Sequence, residues 1–336
     1  MKAIGFNRPL PITETGALQD IDLPTPGIGP RDLLVRVAAV SVNPVDVKVR
    51  ASATPPAGRY RVLGWDACGT VEAVGAEVSA FQPGDRVYYS GDITRPGTNS
   101  ELHAVDERIV ARAPASLTDA QAAALPLTAI TAYELLFDRL GVPHGGGEGQ
   151  SLLVVGGAGG VGSILIQLAR RLTQLKIVAT ASRPETRQWC LDLGAHLVID
   201  HAKPLSAELR AQGLQHVDMV ASLTQTEQHY AELIEALLPQ GKLALIDDMK
   251  VLDAMPLKRK SLSLHWEFMF ARSMHQTADM HRQGELLAEV ARLVDAGVLR
   301  STLAESFGVI DAANLSRAHA FIESGKARGK VVLEGF

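Results

Sequence analysis

Cysteine is scarce in this sequence of 336 residues, which contains only Cys68 and Cys190. Two cysteines are too few for a disulfide framework or a cysteine-rich metal site, so both are expected to be small apolar fillers. The chain also lacks an excess of charge, because 33 Lys and Arg residues stand against 37 Asp and Glu, for a net charge of −4. This balance gives no reason to expect a nucleic acid or an anionic membrane surface as a partner.

An apolar leader, internal repeats and low-complexity tracts are missing as well. Residues 1–6 contain no apolar core of a secretory signal, which predicts a cytosolic protein. The chain is 46% hydrophobic and long enough for two domains, each with its own core.

The most informative stretch joins a short apolar run to closely spaced glycines and a helical pattern. Residues 152–155 have the continuous apolar character of a buried parallel strand, and Gly157, Gly159 and Gly162 follow with G-x-G-x-x-G spacing. In a dinucleotide site such glycines allow a tight turn, close approach of the pyrophosphate and close helix packing. The pattern favours a nucleotide site over a bare structural turn. Five glycines in the stretch and the missing flanking topology argue against a membrane span.

The two parts of the chain differ in their predicted secondary structure. Residues 33–42, 64–74 and 86–89 read as strands separated by turn residues, as in a compact β-barrel. From residue 151 onward, strands and helices alternate, which predicts a doubly wound parallel sheet. A helix interrupted at Pro126 is a plausible hinge, and the final strands are expected to rejoin the first domain.

In a doubly wound sheet, ligands bind beyond the carboxyl ends of the strands. This rule assigns a set of loop residues to the cofactor. They are Gly157, Ala158, Gly159, Gly160, Val161, Gly162, Ser182, Ser222, Leu223, Thr224, Ile246 and Asp247.

With these pieces placed, the chain resembles the medium-chain dehydrogenase/reductases, most of all their zinc-independent quinone oxidoreductase branch. The motifs that carry the resemblance are residues 40–46, 63–75, 83–87, 127–133, 264–274 and 329–333, together with the glycine loop. The resemblance implies a GroES-like β-barrel domain (residues 1–125 and 302–336) and a Rossmann domain (residues 126–301). It also implies cofactor contacts from Phe270 and Lys330, although a core strand accounts equally well for Phe270.

The resemblance also raises the question of zinc. A catalytic zinc needs three protein ligands and an open position. In zinc-using relatives a cysteine stands where this sequence has Asn43, and a histidine stands where it has Trp65. The four-cysteine structural lobe is missing. Asp46 and Asp66 could hold a metal between them, but polar roles are favoured, so we expect no zinc.

Without zinc, hydride delivery to a quinone or another conjugated carbonyl is favoured over alcohol oxidation, because such an acceptor is already an electron sink. The resemblance suggests Asn43 and Thr128 as residues that orient the nicotinamide or the substrate. Asp46 belongs to the same predicted catalytic group. Trp65 could form an aromatic wall for a flat acceptor or simply pack in the interior.

Cofactor choice can be read after the second strand of the predicted Rossmann domain. NAD-specific folds place a carboxylate at this point, whereas this sequence has Ser182 and Arg183, with Arg187 one helical turn further. A hydroxyl and guanidinium groups suit a 2′-phosphate, which predicts NADPH. Ser182 could also cap the next helix in a capping box with Glu185.

Two alternatives stay open beside the NADPH-dependent quinone reductase. One is reduction of an activated alkene, as in enoyl or alkenal reductases, with Tyr60 as a possible proton donor. The other is a non-catalytic NADPH-binding sensor or scaffold, because a fold alone does not establish catalysis. A homodimer is expected, since residues 262–268 resemble the dimer-forming edge strand of relatives.

Overall fold

The computed structural model describes residues 1–336, and the chain divides into two compact units. The first unit comprises Met1–Ile130 and Phe270–Phe336, and the second comprises Thr131–Met269. The division differs from the boundary drawn on the sequence, which grouped residues 270–301 with the nucleotide domain.

The elements are numbered here in chain order. Those before the glycine loop are β1 (Lys2–Phe6), β2 (Gln19–Asp22), β3 (Asp32–Val42), α1 (Pro44–Ser52), β4 (Arg61–Val62), β5 (Asp66–Val74), β6 (Arg86–Ser90), β7 (Leu102–Asp106), β8 (Val110–Arg112), α2 (Asp119–Ala123) and α3 (Pro126–Tyr133). Those of the parallel sheet and its crossovers are β9 (Ser151–Val155), α4 (Gly160–Leu172), β10 (Lys176–Thr180), α5 (Pro184–Leu193), β11 (Leu197–Ile199), α6 (Leu205–Ala211), β12 (Val217–Ser222), α7 (Thr226–Ala236), β13 (Leu237–Leu245) and β14 (Ser263–Trp266). The last are α8 (Ala271–Met274), α9 (Arg282–Asp295), β15 (Leu303–Ser306), α10 (Ala312–Glu323) and β16 (Lys330–Glu334).

The first unit is built mainly from antiparallel strands. One sheet has the order β15-β16-β3-β5-β6-β8, with β7 also paired to β3, and a smaller sheet has the order β2-β1-β4. The long strand β3 is rich in valine, whose branched side chain suits a pleated and buried surface. The C-terminal strand β16 pairs with β3 and aligns Val331 with Val42. This pairing brings the end of the chain back into the first unit, as the sequence predicted.

Helix α9 packs within the first unit, and its contacts explain where the units divide. A side chain at Gly284 would place its Cβ 2.7 Å from the carbonyl oxygen of Arg108 and 2.9 Å from that of Val110. The Tyr88 hydroxyl donates to the Leu287 carbonyl at 2.6 Å. Such contacts depend on the small residue on the helix, and sequence periodicity does not reveal them.

The second unit contains a six-stranded parallel sheet with the order β11-β10-β9-β12-β13-β14. Numbered from β9, this is the 3-2-1-4-5-6 order of a doubly wound nucleotide-binding fold, which confirms the predicted fold class. The core of this unit includes Leu153, Val178, Val220 and Leu243, all fully buried. Strand β13 begins at Leu237, earlier than the strand expected at residues 243–246. The predicted turn is present as an irregularity inside the strand, because Gln240 has a φ of +66° and the pairing with β12 shifts register between Val217 and Met219.

One helical stretch, Asp119–Arg139, is long and apolar enough to cross a membrane by length and composition alone. Its most apolar window is 83% buried inside the protein, as in the core helix of a globular domain. This stretch is therefore weak evidence for a membrane span. The cytosolic location remains a prediction from the N-terminal sequence.

Candidate functional site

The glycine loop connects the end of β9 to the start of α4. Gly156 has a φ of +82°, which is readily adopted by glycine and lets the chain turn sharply after the strand. Its backbone N–H donates to the Thr180 hydroxyl at 3.1 Å, and the N–H of Gly157 donates to the Thr180 carbonyl at 3.2 Å. Helix α4 then begins at Gly160, with Gly159 as its N-cap residue. N–H groups of the first helical turn lack intrahelical partners and suit a phosphate.

The three glycines of the motif are required for different reasons. A Cβ at Gly162 would lie 2.4 Å from the Gly156 carbonyl oxygen, and one at Gly157 would lie 2.8 Å from the Ala179 Cβ. Packing therefore requires both of these glycines. A Cβ at Gly159 would meet only the Gly156 carbonyl oxygen, at 3.4 Å. The space beside Gly159 is thus open within the protein, as close approach of a pyrophosphate would require.

The ends of β12 and β13 bring further predicted cofactor residues near this loop. The Leu223 N–H donates to the Val155 carbonyl at 3.2 Å, and the Thr224 methyl carbon lies 2.9 Å from where a Gly156 Cβ would stand. Ser222 is buried and hydrogen-bonded to the Thr226 hydroxyl. The half-buried Ile246 and Asp247 follow β13, and Asp247 accepts from the Thr226 N–H at 3.0 Å.

The residues predicted to bind a 2′-phosphate fall into two groups. Ser182 is exposed beyond β10, and the half-buried Arg183 is the N-cap residue of α5, with its guanidinium 3.2 Å from Glu185. Arg187 instead donates to the backbone carbonyls of Ala181 and Val198, at 3.2 and 2.7 Å. Its guanidinium therefore ties the ends of two strands together. The capping box weighed for Ser182 and Glu185 does not form, because Arg183 takes the N-cap position.

A buried polar cluster lies in the first unit around the carboxylate of Asp66, which is fully buried. Its Oδ2 accepts from Ser41 Oγ at 2.6 Å, from Asn43 Nδ2 at 2.8 Å and from Lys330 Nζ at 3.0 Å. Its Oδ1 accepts from the Leu127 N–H at 2.7 Å. One carboxylate thus joins β3, β5, β16 and the start of α3.

Lys330 completes this cluster. Its ammonium donates to the side-chain oxygen of Asn43, to Asp66 and, more weakly, to the Val42 carbonyl at 3.5 Å. Lys330 is 2% exposed, so its charge is compensated inside the protein. The structure therefore assigns the Lys330 ammonium to internal contacts, and the cofactor contact that the family resemblance implied remains untested.

Asn43 and Asp46 lie at the start of α1 beside the cluster. The Asn43 side chain donates to Asp66 and accepts from Lys330, an arrangement that fixes the orientation of its amide. Asp46 accepts from the backbone N–H groups of Asn43 and Gly64, at 2.7 and 2.9 Å. Burial raises the pKa of Asp46 to about 7, while the Asn43 N–H and the Lys330 charge act in the opposite direction.

The other predicted catalytic residues are also buried in the first unit. Trp65 donates from its indole nitrogen to the Asp92 carbonyl at 3.3 Å, and its ring meets the edge of Phe270 with centroids 5.8 Å apart. The Thr128 hydroxyl donates to the Leu125 carbonyl at 3.1 Å. Tyr60 is exposed, and its hydroxyl donates to Gln19.

These side chains do not provide a zinc site. No three His, Cys, Asp or Glu side chains of residues 1–336 come together as a metal-binding group. The Asp66 carboxylate accepts a hydrogen bond from the Lys330 ammonium, and the Asp46 carboxylate accepts hydrogen bonds from backbone N–H groups. An amide and an indole at the positions of Asn43 and Trp65 are unsuitable for the tetrahedral N, S and O coordination that zinc prefers.

Sequence reasoning missed two contributors to these sites. Thr180 anchors the glycine loop through its hydroxyl and its carbonyl, and a threonine at the end of a predicted strand was the available signal. Ser41 supports Asp66 from the neighbouring strand. Nothing in the local sequence distinguishes Ser41 from an ordinary strand residue.

Comparison with known proteins agrees with this architecture. Residues 29–115 match the alcohol dehydrogenase GroES-like domain model, and residues 193–333 match the zinc-binding dehydrogenase model. A zinc-type alcohol dehydrogenase-like protein of Staphylococcus aureus is 39% identical over 99% of both chains.

Solved structures extend the comparison. A crystal structure from Rhizobium etli CFN 42, of a protein assigned as a zinc-dependent alcohol dehydrogenase, is 56% identical. It superposes with a TM-score of 0.96 over 100% of this chain and 98% of the other. The quinone oxidoreductase of Coxiella burnetii is 25% identical, with a TM-score of 0.82 over 100% and 99% of the two chains. The sequence matches, the shared barrel and the Rossmann strand order together show that this chain belongs to the medium-chain dehydrogenase/reductase superfamily of oxidoreductases.

Proposed function

We propose that the protein is an NADPH-dependent reductase that transfers hydride to a quinone or a similar conjugated carbonyl acceptor without zinc. The observation that carries the proposal is the cluster of Asn43, Asp66 and Lys330. An amide and a lysine occupy a centre where zinc-using relatives place metal ligands. A conjugated acceptor needs less Lewis-acid assistance than an alcohol, because its own π-system takes up the electron pair.

The glycine loop and the tip of β10 support NADPH as the cofactor. Bound NADPH would supply the hydride. The open space beside Gly159 suits the pyrophosphate, and exposed Ser182 with Arg183 suits a 2′-phosphate. We leave Arg187 out of the proposed phosphate site, because both of its terminal guanidinium nitrogens already donate to backbone carbonyls.

The residues of the first unit have proposed roles in orienting the reacting groups. Asn43 and Thr128 are polar side chains on the two segments that Asp66 connects. Trp65 contributes a buried ring that packs against Phe270. Orientation and exclusion of water are the contributions that a protein makes when a cofactor carries the chemistry.

We also propose that the protein acts as a homodimer through β14. This strand is at the end of the parallel sheet and pairs only with β13, so one of its backbone edges has no strand partner within the chain. Trp266 and Phe268 beside this edge are 48% and 49% exposed. Exposed aromatic residues beside an open strand edge are typical of an association surface.

The test of function is steady-state oxidation of NADPH and NADH by chelator-treated protein, with quinones, with enones and without any acceptor. Quinone-dependent turnover that prefers NADPH is the expected result. Activity that disappears with chelator and returns with zinc would overturn zinc independence. Turnover of enones alone would favour the alkene reductase. Tight NADPH binding without any turnover would favour a sensor or scaffold.

A further inference from the structure

The ion pair between Lys330 and Asp66 lies between the two residues proposed to orient the reacting groups. The Oδ2 atom of Asp66 holds the Asn43 amide at 2.8 Å, and the Oδ1 atom holds the backbone N–H of Leu127, which precedes Thr128, at 2.7 Å. Each contact uses one of the two carboxylate oxygens of Asp66 as its acceptor. The Asp66 side chain therefore links Asn43 directly to the start of α3.

Lys330 determines whether Asp66 can serve in this way. A carboxylate with no exposed surface is costly unless a positive charge compensates it. The ammonium lies 3.0 Å from Asp66 Oδ2 and also donates to the Asn43 side-chain oxygen. It thereby fixes the orientation of the Asn43 amide, with the oxygen toward the lysine and the nitrogen toward the carboxylate.

We propose that the Lys330–Asp66 pair is a positioning device for hydride transfer, which acts by holding Asn43 and Thr128 in register, and that Lys330 does not bind the cofactor. The inference rests on the proposed function, because it assumes that Asn43 and Thr128 orient the reacting groups. The Lys330–Asp66 pair thus orders Asn43, the residue that stands where zinc-using relatives have a cysteine ligand.

The test compares Lys330→Met, Lys330→Arg and the charge-matched double variant Lys330→Met/Asp66→Asn. The double variant avoids leaving a buried carboxylate unpaired, so it keeps the test possible if Lys330→Met does not fold. We expect kcat of the double variant to fall by about 10- to 100-fold, as a misplacement of about 1 Å produces, with the dissociation constant of NADPH changed by less than about twofold. Lys330→Arg should recover part of kcat.

A double-mutant cycle separates positioning from general destabilisation. If Lys330 acts through Asn43, Asn43→Ala should lower kcat much less in the Lys330→Met/Asp66→Asn background than in the unmodified protein, whereas an equal factor in both backgrounds would show that the pair and Asn43 act independently. The matched control is Arg50→Met/Glu323→Gln, which removes another ion pair of the first unit with a buried cation. It should lower the unfolding temperature and leave kcat within about twofold.

Two results would overturn the inference. The first is an unchanged kcat in the double variant, and the second is weaker NADPH binding with unchanged kcat, which would make Lys330 a cofactor contact. Failure of the proposed function is recognised separately, because the unmodified protein would then show no acceptor-dependent turnover.

Discussion

At the scale of single residues, the two arginines after β10 show how neighbours with the same chemistry acquire different roles. Arg183 stands beside exposed Ser182 and a surface glutamate, whereas Arg187 is held by the carbonyls of Ala181 and Val198. Both are arginines on the same helix terminus. They differ in their surroundings, because backbone carbonyls of β11 and of the residue after β10 accept hydrogen bonds from Arg187.

Replacing Arg183 with Ala should therefore weaken NADPH selectively. Loss of a charge-assisted hydrogen bond costs about 1.5–3 kcal/mol, so KM for NADPH should rise by roughly 10- to 100-fold while KM for NADH stays within about twofold. Steady-state kinetics with both cofactors measure this difference. The control is Arg187→Ala, which should lower the unfolding temperature without a comparable selective change in KM for NADPH. An equal rise in KM for both cofactors in Arg183→Ala would contradict a 2′-phosphate contact.

A second residue-scale feature is the buried carboxyl pair of Glu134 and Glu267 in the second unit. Burial and the neighbouring carboxylate raise the pKa of Glu267 to about 9, although Arg139 lies 2.8 Å from its Oε2 atom. The folded protein therefore holds a proton that the unfolded chain releases near its ordinary pKa of 4.5.

This proton makes stability depend on pH. Its stabilising contribution is complete below pH 4.5 and is lost progressively as the pH rises through about 9, since the folded state binds more protons in that window. Glu267→Gln should flatten this part of the pH dependence. The effect is measured by comparing the unfolding temperatures of the unmodified protein and Glu267→Gln from about pH 6 to about pH 9. Parallel curves would show that Glu267 does not hold the proton.

At the scale of elements, the strand–loop–helix unit of β9 and α4 is held by packing on one side and open on the other. Gly162 brings the helix against the loop backbone, and Gly157 brings the loop against β10. Gly159 has no such packing duty. Gly157 and Gly162 of the motif are thus required by packing, whereas Gly159 leaves room for a ligand.

Gly162→Ala and Gly159→Ala should consequently behave differently. The new Cβ at residue 162 would collide with the backbone oxygen of Gly156, and overpacking of this kind costs about 1–3 kcal/mol. Gly162→Ala should therefore lower both the unfolding temperature and the affinity for NADPH. Gly159→Ala should weaken NADPH binding by at least about tenfold, with a loss of stability of no more than about 1 kcal/mol from the altered N-cap. Calorimetry and cofactor titration measure the two effects, and undiminished binding in Gly159→Ala would remove the pyrophosphate from this position.

At the scale of the whole molecule, one feature extends beyond a single chain. Strand β14 ends the parallel sheet with an open edge, and Trp266 and Phe268 lie exposed beside it. Natural proteins usually cover or charge such an edge, because an open edge recruits another strand. Pairing with a second copy would satisfy its backbone groups and bury both aromatic residues.

The expected assembly is a homodimer whose sheets join at β14. Light scattering coupled to size-exclusion chromatography should give the mass of two chains. Leu264→Pro removes a backbone donor in this strand and should shift the mass toward that of one chain. The substitution Val251→Pro, at an exposed residue outside the helices and strands, is the control and should leave the mass unchanged. A single-chain mass for the unmodified protein would contradict the dimer.

Local patterns in the sequence were sufficient to predict the two folds and the glycine loop. Apolar runs, turn residues and glycine spacing determine the backbone conformation of nearby residues. The strand, loop and helix start at residues 151–162 could therefore be predicted from that segment alone. The alternation of strands and helices likewise predicted the parallel sheet that the structure contains.

Tertiary structure alone decided the chemistry around Asp66. Lys330 and Asp66 are 264 residues apart and meet because β16 pairs with β3 beside β5. The contacts of Arg187 with two strand ends and the packing of Gly284 on β8 arise in the same way. Sequence spacing encodes backbone conformation, whereas the partner of a buried charge depends on which distant segments the folded sheet brings together.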